Sequence, residues 1–362
     1  MGISTIRIQN FKSIRDSGEV EMRPLNILIG ANGVGKSNFI SFFKFLNRLY
    51  EQQIQLYVSL NGKADSFLYF GKKVSDFLGG EIVFDNEWQN GYRFQMEPDQ
   101  ADNLIIARER SQLKSPGFDS PQSITINRGG SPESVLKDSL LSRDFYLKGH
   151  FKSFKVFHFH DTSSNSKVKG FCGATDYTYL QEDGGNLAAF LYRLQEAHPP
   201  HFKIIERTVR SIAPFFDRFH LKPDEINGQQ IQLRWLEKGS EQLFTAHNFS
   251  DGTLRMICLA TLLMQPEPPD TIIIDEPELG LHPFAIEKLA AMLNSASAKS
   301  QVIVSTQSVN LLNYFDAEDV IVVEREDGQS VFHRLDPDEL EAWLSEYSLS
   351  ELWEKNVLGG RP

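Results

Sequence analysis

The sequence predicts an α/β fold with a mostly parallel core sheet, an antiparallel β-region and a helical lobe. Three observations support this prediction. The apolar segment LNILIG (25–30) leads through a glycine-rich loop into a helix expected over 36–50. After residue 251, apolar strands alternate with helical patterns, which is typical of parallel sheets. Between 66 and 128, short apolar runs separated by Gly, Asn and Asp indicate antiparallel strands.

The remaining elements follow from the same spacing of apolar residues. Strands are expected at 3–10, 25–30, 154–161, 230–236, 241–247, 271–275, 301–306 and 320–324, and within 66–128. Helices are expected at 36–50, 133–150, 185–216 with a break at Pro199-Pro200, from 251 onward, at 284–295 and at 309–315. We expect residues 1–362 to form one domain with two lobes. The first lobe is expected at 1–160 and a helical lobe at 161–260. Residues 261–362 are expected to contribute further strands and helices to the core of the first lobe.

Composition and charge restrict the possible partners. No apolar run reaches the roughly 18 residues of a membrane span, so no membrane partner is expected. Cys172 and Cys258 lie far apart without metal-ligand spacing, which favours a cytoplasmic protein without a disulfide framework. Residues 241–362 carry 21 acidic and 7 basic side chains, a net charge of −14, and residues 1–240 carry a net charge of +3. A polyanion is therefore expected to meet the N-terminal part, unless the acidic residues merely solvate the C-terminal surface.

The segment GANGVGKS (30–37) matches the phosphate-loop pattern G-x-x-x-x-G-K-[ST]. Its glycines let backbone N–H groups turn toward phosphate oxygens, and the helix that follows adds the positive end of its dipole. Lys36 is expected at the β- and γ-phosphates, and the Ser37 hydroxyl on Mg²⁺. No guanine-reading N-K-x-D segment is present, so ATP is the expected nucleotide.

A second chemical motif is TIIIDEPELGLHP (271–283). Asp275 ends a buried strand, where its carboxylate is placed to hold Mg²⁺ through water. Glu276 follows at once and is expected to polarise the attacking water. For Glu278 a helix-start or loop-fixing role is favoured over catalysis.

The segment FSDGTLR (249–255) precedes a helix, with Ser250 at the N-cap and Gly252 in the first turn. One interpretation is an ordinary capped helix start. The other is that Ser250 and the exposed N–H groups bind a γ-phosphate. The residues alone leave both interpretations open.

Together these segments resemble an ABC-type ATPase of the RecF/SMC group, and in particular the bacterial AAA-15/AAA-21-like ATPases. In that resemblance GANGVGKS is Walker A, TIIIDEPE is Walker B, FSDGTLR is the signature and GLHP is the D-loop. VSTQS (304–308) occupies the switch position. The resemblance implies a P-loop NTPase of ABC-ATPase head type.

The resemblance also implies roles for individual residues. The start IRIQNFKSI is similar to the first strand of these heads, where a basic residue, here Lys12 or Arg15, approaches the nucleotide. The other residues implied at the nucleotide are Asn32, Gly33, Gly35, Lys36, Ser37, Asn38, Ser250 and Gly252.

Three departures from the family pattern affect these expectations. Gln307 stands where ABC ATPases usually have His, and an amide carries no proton, so turnover is expected to be slow. Asp251 replaces a common Gly and must point away from phosphate or be paired. FHFHDTSS lacks the expected glutamine, so His160 and Asp161 are candidates for coupling the lobes, with core packing and turn capping as the alternative.

The resemblance implies that two chains sandwich two ATP molecules, with Ser250 acting in trans. One resulting hypothesis is an ATP-gated dimeric clamp in DNA repair or maintenance. Its DNA contacts would be RERSQLK (108–114) and LKGHFKSFK (147–155), unless these are ordinary solvated segments. The alternative is a regulatory ATPase of an anti-phage defence or toxin-like module. It would control a separate, co-encoded effector such as a nuclease, because this sequence shows no nuclease constellation of its own. A metabolic kinase is disfavoured by the signature and the Asp-Glu pair.

Overall fold

The computed structural model describes residues 2–115 and 117–360. The strands are β1 Ile3–Phe11, β2 Ile14–Asp16, β3 Val20–Glu21, β4 Leu25–Ile29, β5 Leu78–Phe84, β6 Gly91–Pro98, β7 Leu104–Leu113, β8 Gln122–Asn127, β9 Lys155–Phe157, β10 Phe171–Gly173, β11 Phe216–Phe219, β12 Gln230–Gln232, β13 Arg234–Glu237, β14 Leu243–Thr245, β15 Thr271–Asp275, β16 Gln301–Ser305, β17 Val320–Glu326 and β18 Gln329–Arg334. The helices are α1 Lys36–Tyr50, α2 Ile54–Leu60, α3 Ser142–Ser153, α4 Leu187–Ala197, α5 Pro199–Ile212, α6 Asp251–Met264, α7 Pro283–Ser297, α8 Val309–Leu312, α9 Pro337–Leu344 and α10 Leu349–Glu354. In the described ranges, no helix combines the length and apolar character needed to cross a bilayer.

The chain divides into two compact units. The first contains the residues up to 156, 269–275 and those from 300 onward, and the second contains 157–268 and 276–299. The sequence prediction placed 276–299 with the core. The structure assigns this segment to the second unit, where α7 packs against α6.

The first unit contains the mostly parallel sheet, with strand order β18-β17-β4-β16-β15-β9. β4, β15, β16 and β17 are parallel, and β18 returns antiparallel to β17. The apolar residues of β4, β15 and β16 are buried, as expected for strands covered on both faces. The carboxyl ends of these three strands therefore share one edge, the usual place for a ligand in such a sheet.

The first unit also contains the predicted antiparallel sheet, in the order β2-β1-β5-β6-β7-β8 with β3 on β1. Helix α1 contributes Phe39, Phe42, Phe43 and Phe45 to the core, and all four side chains are fully buried. Phe42 contacts Phe11 and Phe94, whose strands belong to the antiparallel sheet. This packing holds the N-terminal end of α1 in a fixed position.

The second unit contains α4 to α7 with two small antiparallel sheets, β11-β13-β14 and β10-β12. Trp235 of β13 stacks between Phe244 and Phe249, with ring centroids 4.9 and 4.4 Å away. Phe249 immediately precedes Ser250, so this aromatic stack fixes the chain at the entrance to α6.

Several predicted elements are confirmed, among them α1, α6 and the break between α4 and α5 at Pro199. Several predictions were wrong in extent. β9 covers only Lys155–Phe157 of the predicted 154–161, and α8 ends at Leu312 instead of 315. α5 ends at Ile212, and the chain enters β11 at Phe216, which was predicted as helical. Residues 66–70 form no strand, because the chain makes a short 3-10 turn at Ala64–Ser66 and Phe70 has a positive φ. The helix predicted from 133 begins only at Ser142, because the Glu133 carboxylate accepts the N–H groups of Ile54 and Gln55 and so caps α2.

Candidate nucleotide site

The phosphate loop connects β4 to α1, and two of its glycines are required by their surroundings. Gly30 has φ 149°, and a Cβ there would lie 2.3 Å from the Val323 carbonyl oxygen. Gly35 has φ 117°, and a Cβ there would lie 2.1 Å from Ser330 Oγ. Any side chain at either position would collide with its neighbours, so the loop takes this course only with glycine.

Lys36 folds back over the loop that precedes it. Its side chain is buried, and Nζ donates hydrogen bonds to the carbonyl oxygens of Gly30 (2.6 Å) and Ala31 (2.9 Å). Ser37, Asn32 and Gly33 lie on the exposed side. In the described part of the chain no side chain caps α1, so its first N–H groups face the loop as they do in anion-binding helices.

A series of side-chain hydrogen bonds connects the phosphate loop to Ser13 and Ser330. Asn38 Nδ2 donates to Ser13 Oγ at 2.7 Å, and Ser330 Oγ donates to the Val34 carbonyl at 2.5 Å. Because the Ser330 hydrogen is used in that bond, Ser13 Oγ must donate the 2.7 Å bond between the two hydroxyls. The predicted nucleotide contact Asn38 is therefore also a support of the loop. Sequence reasoning missed Ser13 and Ser330.

The C-terminal segment also reaches this loop. The buried Trp353 donates its indole N–H to the Gly360 carbonyl at 2.7 Å, and the Gly360 N–H donates to Glu324 Oε1 at 2.8 Å. A Cβ on Gly360 would lie 3.3 Å from the Gly30 Cα. The first turn of the phosphate loop thus packs directly against a backbone segment some 330 residues away in sequence.

Lys12 lies in a partly aromatic environment beside α1. Its Nζ donates to Ser41 Oγ at 3.0 Å and lies 5.3 Å and 5.8 Å from the ring centroids of Phe11 and Phe67. Burial lowers the pKa of the Lys12 ammonium, and the nearby Lys44 adds to the effect. Ser41 is one helical turn beyond Ser37, so contact between Lys12 and nucleotide stays a prediction.

Asp275 and Gln307 lie at the carboxyl ends of β15 and β16. Ser305 Oγ donates a short hydrogen bond to Asp275 Oδ1, which fixes the carboxylate at the sheet edge. Ser305 pairs with both Asp275 and Leu28 in the parallel sheet, so it also aligns this edge with the strand that enters the phosphate loop. Gln307 follows two residues later and is half-buried.

Glu276 begins the turn after Asp275 with a positive φ of 47°. Its carbonyl accepts the Leu279 N–H at 3.2 Å and the Nε2–H of His160 at 3.1 Å. A non-glycine residue in this conformation is uncommon and is held by such contacts. The Glu278 carbonyl accepts the Leu281 N–H, and the loop-fixing role of the Glu278 side chain stays a prediction.

The signature segment starts α6 as the sequence predicts. Ser250 Oγ caps the helix by accepting the Thr253 N–H at 3.2 Å, and the Ser250 side chain remains exposed. A Cβ on Gly252 would lie 2.8 Å from the Gly280 carbonyl oxygen. Asp251 extends toward Lys169, whose Nζ lies 3.7 Å from its carboxylate, so the acidic residue has a cationic neighbour.

Arg255, in the first turns of α6, joins three loop carbonyls. It donates from Nε to Phe159 O at 3.2 Å, from Nη2 to His160 O at 2.9 Å and from Nη1 to Leu279 O. His160 in turn holds the Glu276 carbonyl. Asp161 caps its own turn through Ser163, as in the turn-capping alternative, and a coupling role for His160 stays a prediction. The signature pattern FSDGTLR contains Arg255, but its sequence alone indicates no role for this residue.

Comparison with known proteins decides the family. The family model AAA_21, described as "AAA domain, putative AbiEii toxin, Type IV TA system", matches residues 25–313. The chain is an AAA_21 protein. The matched range includes Walker A, the signature, Walker B and the switch segment.

Solved structures similar to this AAA_21 protein include SMC heads. The SMC head bound to the C-winged helix domain of ScpA has a TM-score of 0.62 at 17% identity, covering 94% of this chain and 99% of that one. An SMC head with an extended coiled coil from Pyrococcus furiosus, bound to the C-terminal domain of ScpA, has a TM-score of 0.56 at 16% identity, covering 95% and 99%. The SMC head from Thermotoga maritima has a TM-score of 0.50 at 16% identity, covering 93% and 100%.

A curated relative shares only a short segment with this AAA_21 protein. Urease accessory protein 2 of Cryptococcus neoformans var. grubii is 40% identical over 92 residues, which is 24% of this chain and 7% of the relative. The family match and the SMC-head fold confirm the predicted fold class, a P-loop NTPase of ABC-ATPase head type, and the predicted ATPase activity.

Proposed function

We propose that the protein is an ATP-gated dimeric clamp that acts in DNA repair or maintenance. The proposal is carried by one contrast: the phosphate loop is held within its own unit by Val323, Ser330 and the buried Lys36, whereas the capping Ser250 of the signature is exposed. In an ABC-type head, a signature exposed in this way is suited to a phosphate held by a second copy of the chain. ATP binding would then close a head-to-head homodimer, and hydrolysis would reopen it.

The residues of the site fit ATP with Mg²⁺. Lys36, Asn32, Gly33 and Gly35 would hold the phosphates through Nζ and the loop N–H groups. Ser37 and Asp275 offer the hard oxygen ligands that Mg²⁺ prefers, and the bound ion would neutralise phosphate charge.

Glu276 would orient and polarise the attacking water. Gln307 would hydrogen-bond the γ-phosphate without taking a proton, so the basal rate is expected to be slow. Ser250 and Gly252 would contact the γ-phosphate of the partner subunit, and Lys12 would approach the nucleotide from the β1–β2 turn.

The test is the steady-state ATP hydrolysis rate of the purified protein with and without duplex and single-stranded DNA. Glu276→Gln serves as the blank. Stimulation by DNA supports the clamp proposal. A slow rate that no DNA changes would contradict a DNA-dependent role.

A second candidate is a regulatory ATPase that controls a separate effector such as a nuclease. It is favoured by the family description, which names a putative AbiEii toxin and a Type IV TA system. This candidate predicts a stable complex with a co-encoded protein and a turnover rate that changes on complex formation. Co-expression with neighbouring gene products followed by affinity purification would detect the complex.

A further inference from the structure

The outer face of the antiparallel sheet in the first unit has a hollow centred on Gly79. The hollow has a volume of about 110 Å³. Its walls include Phe77, Arg93, Arg108 and Arg110. It belongs neither to the phosphate loop nor to the signature.

The strand register explains why three arginines converge here. Gln9, Gly79, Gln95 and Arg108 form one row across β1, β5, β6 and β7. Two residues further along each strand, the neighbouring row is Arg7, Glu81, Arg93 and Arg110. Residues two apart in a strand share a face, so both rows lie on the same side. The alternate positions, such as Phe94 and Glu109, are buried on the opposite side.

Gly79 leaves the hollow open because it has no side chain. The backbone and its neighbours do not require glycine at this position. A Cβ at Gly79 would meet Phe94 O at 3.4 Å, Phe77 at 3.5 Å and Gln9 Oε1 at 3.6 Å, which are ordinary contacts. Its φ is not positive. Glycine in a strand interior weakens the strand and often marks a place where a ligand approaches closely.

Charge in the hollow is poorly compensated. Arg7 is satisfied by Asp16, to which it donates at 3.0 and 2.6 Å. Arg93 lies 3.6 Å from Glu81 and is 56% exposed, so that pair is weak. Within the described residues, Arg108 and Arg110 have no ion pair.

Arg110 has the clearest unmet requirement. Its Nε is buried and finds no hydrogen-bond acceptor among the described residues. An unpaired buried donor destabilises the fold unless a ligand or ordered water accepts its hydrogen bond. Arg108 and Arg110 both line the hollow. A guanidinium group binds phosphate oxygens through two parallel hydrogen bonds, so this pair suits a phosphate group.

We propose that this hollow binds a phosphate group, and that its physiological source is the backbone of a nucleic acid strand lying across the sheet face. The net charge of +3 over residues 1–240, against −14 over 241–362, favours a polyanion on this part of the chain. The inference rests on the proposed association with DNA and gives it a contact site. Free phosphate is the alternative source of the same chemistry.

The test measures binding of a fluorescent single-stranded oligonucleotide and of the matching duplex, without ATP, by the full-length protein. The background is Lys36→Ala, so that a failure of the ATP clamp does not affect the result. Arg110→Gln and Arg108→Gln are each expected to weaken binding about tenfold and to lower the log–log salt slope by about 0.7 to 0.9. Gly79→Val is expected to fold and to weaken binding similarly, because its side chain fills the hollow while every arginine stays.

Lys63→Gln is the matched control, since it removes one exposed positive charge outside the hollow. It is expected to change affinity less than twofold. Inorganic phosphate is the third probe. If it binds and neither oligonucleotide does, the source is a small phosphate ligand and the assignment to nucleic acid is overturned. Absence of binding by all three probes overturns the proposal. Binding that Gly79→Val and both arginine variants leave unchanged overturns it as well.

Discussion

The phosphate-loop region and the signature region differ in how completely each is supported by its own unit. The loop is fixed by Val323 and Ser330, and Lys36 is buried against it. The signature is fixed behind Ser250 by Phe249 and Trp235, but the Ser250 side chain itself is exposed. In the proposed function the first region holds phosphates, and the second is a supported but exposed surface. We infer that the signature is built to receive its ligand from outside its own unit.

The largest effect on ATP affinity is expected when the phosphate loop loses the positive charge of Lys36. Lys36→Ala should weaken ATP binding about 100-fold or more, because it removes the buried ammonium proposed to bind the phosphates. Lys44→Ala, on the same helix, is the matched control and should change affinity little. Titration with a fluorescent ATP analogue measures both variants. Tight ATP binding by Lys36→Ala would remove this loop from the nucleotide site.

The next largest effect is expected on ATP hydrolysis when Glu276, the residue after β15, is changed. Glu276→Gln should keep ATP affinity and lower hydrolysis at least 100-fold, because the amide does not polarise water as a carboxylate does. Glu278→Gln is the control and should keep turnover within a few fold of wild type, given its predicted loop-fixing role. Single-turnover hydrolysis and nucleotide titration separate the two steps. Normal turnover by Glu276→Gln would exclude the proposed role.

The open region is tested by charge at Ser250. Ser250→Asp should preserve the helix cap but lower ATP turnover about tenfold or more, because a carboxylate there repels phosphate. Ser250→Asn caps equally well without charge, so its turnover should stay within a few fold of wild type. Thermal unfolding of both variants checks the cap. Equal turnover by Asp and Asn variants would mean that no phosphate approaches Ser250.

A smaller effect on turnover is expected when the contacts of Arg255 within the second unit are lost. Arg255→Lys should lower turnover several-fold and leave ATP affinity within twofold, because one ammonium does not bond the Phe159, His160 and Leu279 carbonyls together. The same split should appear in His160→Ala, which frees the Glu276 carbonyl. A parallel loss of ATP affinity in both variants would instead indicate a general loss of folding, which a thermal unfolding curve would show.

The local parts of this comparison were predictable from sequence. The bounds of α1, the strand before Asp275 and the cap at Ser250 follow from apolar spacing and side-chain type within about 15 residues. The supports were not predictable in this way. Ser13 and Ser330 lie 317 residues apart, and Gly360 packs beside Gly30 although some 330 residues separate them in sequence. Arg255 reaches carbonyls 95 and 96 residues earlier, and no spacing rule relates those positions.

The central claim, that a signature completes the site of another copy, is tested most directly by mixing two defective variants. Lys36→Ala retains an intact signature, and Ser250→Asp retains an intact phosphate loop. Each alone should hydrolyse ATP slowly, whereas a mixture should form one intact composite site per heterodimer and recover a substantial part of wild-type activity. A mixture no more active than the sum of its components would contradict completion in trans.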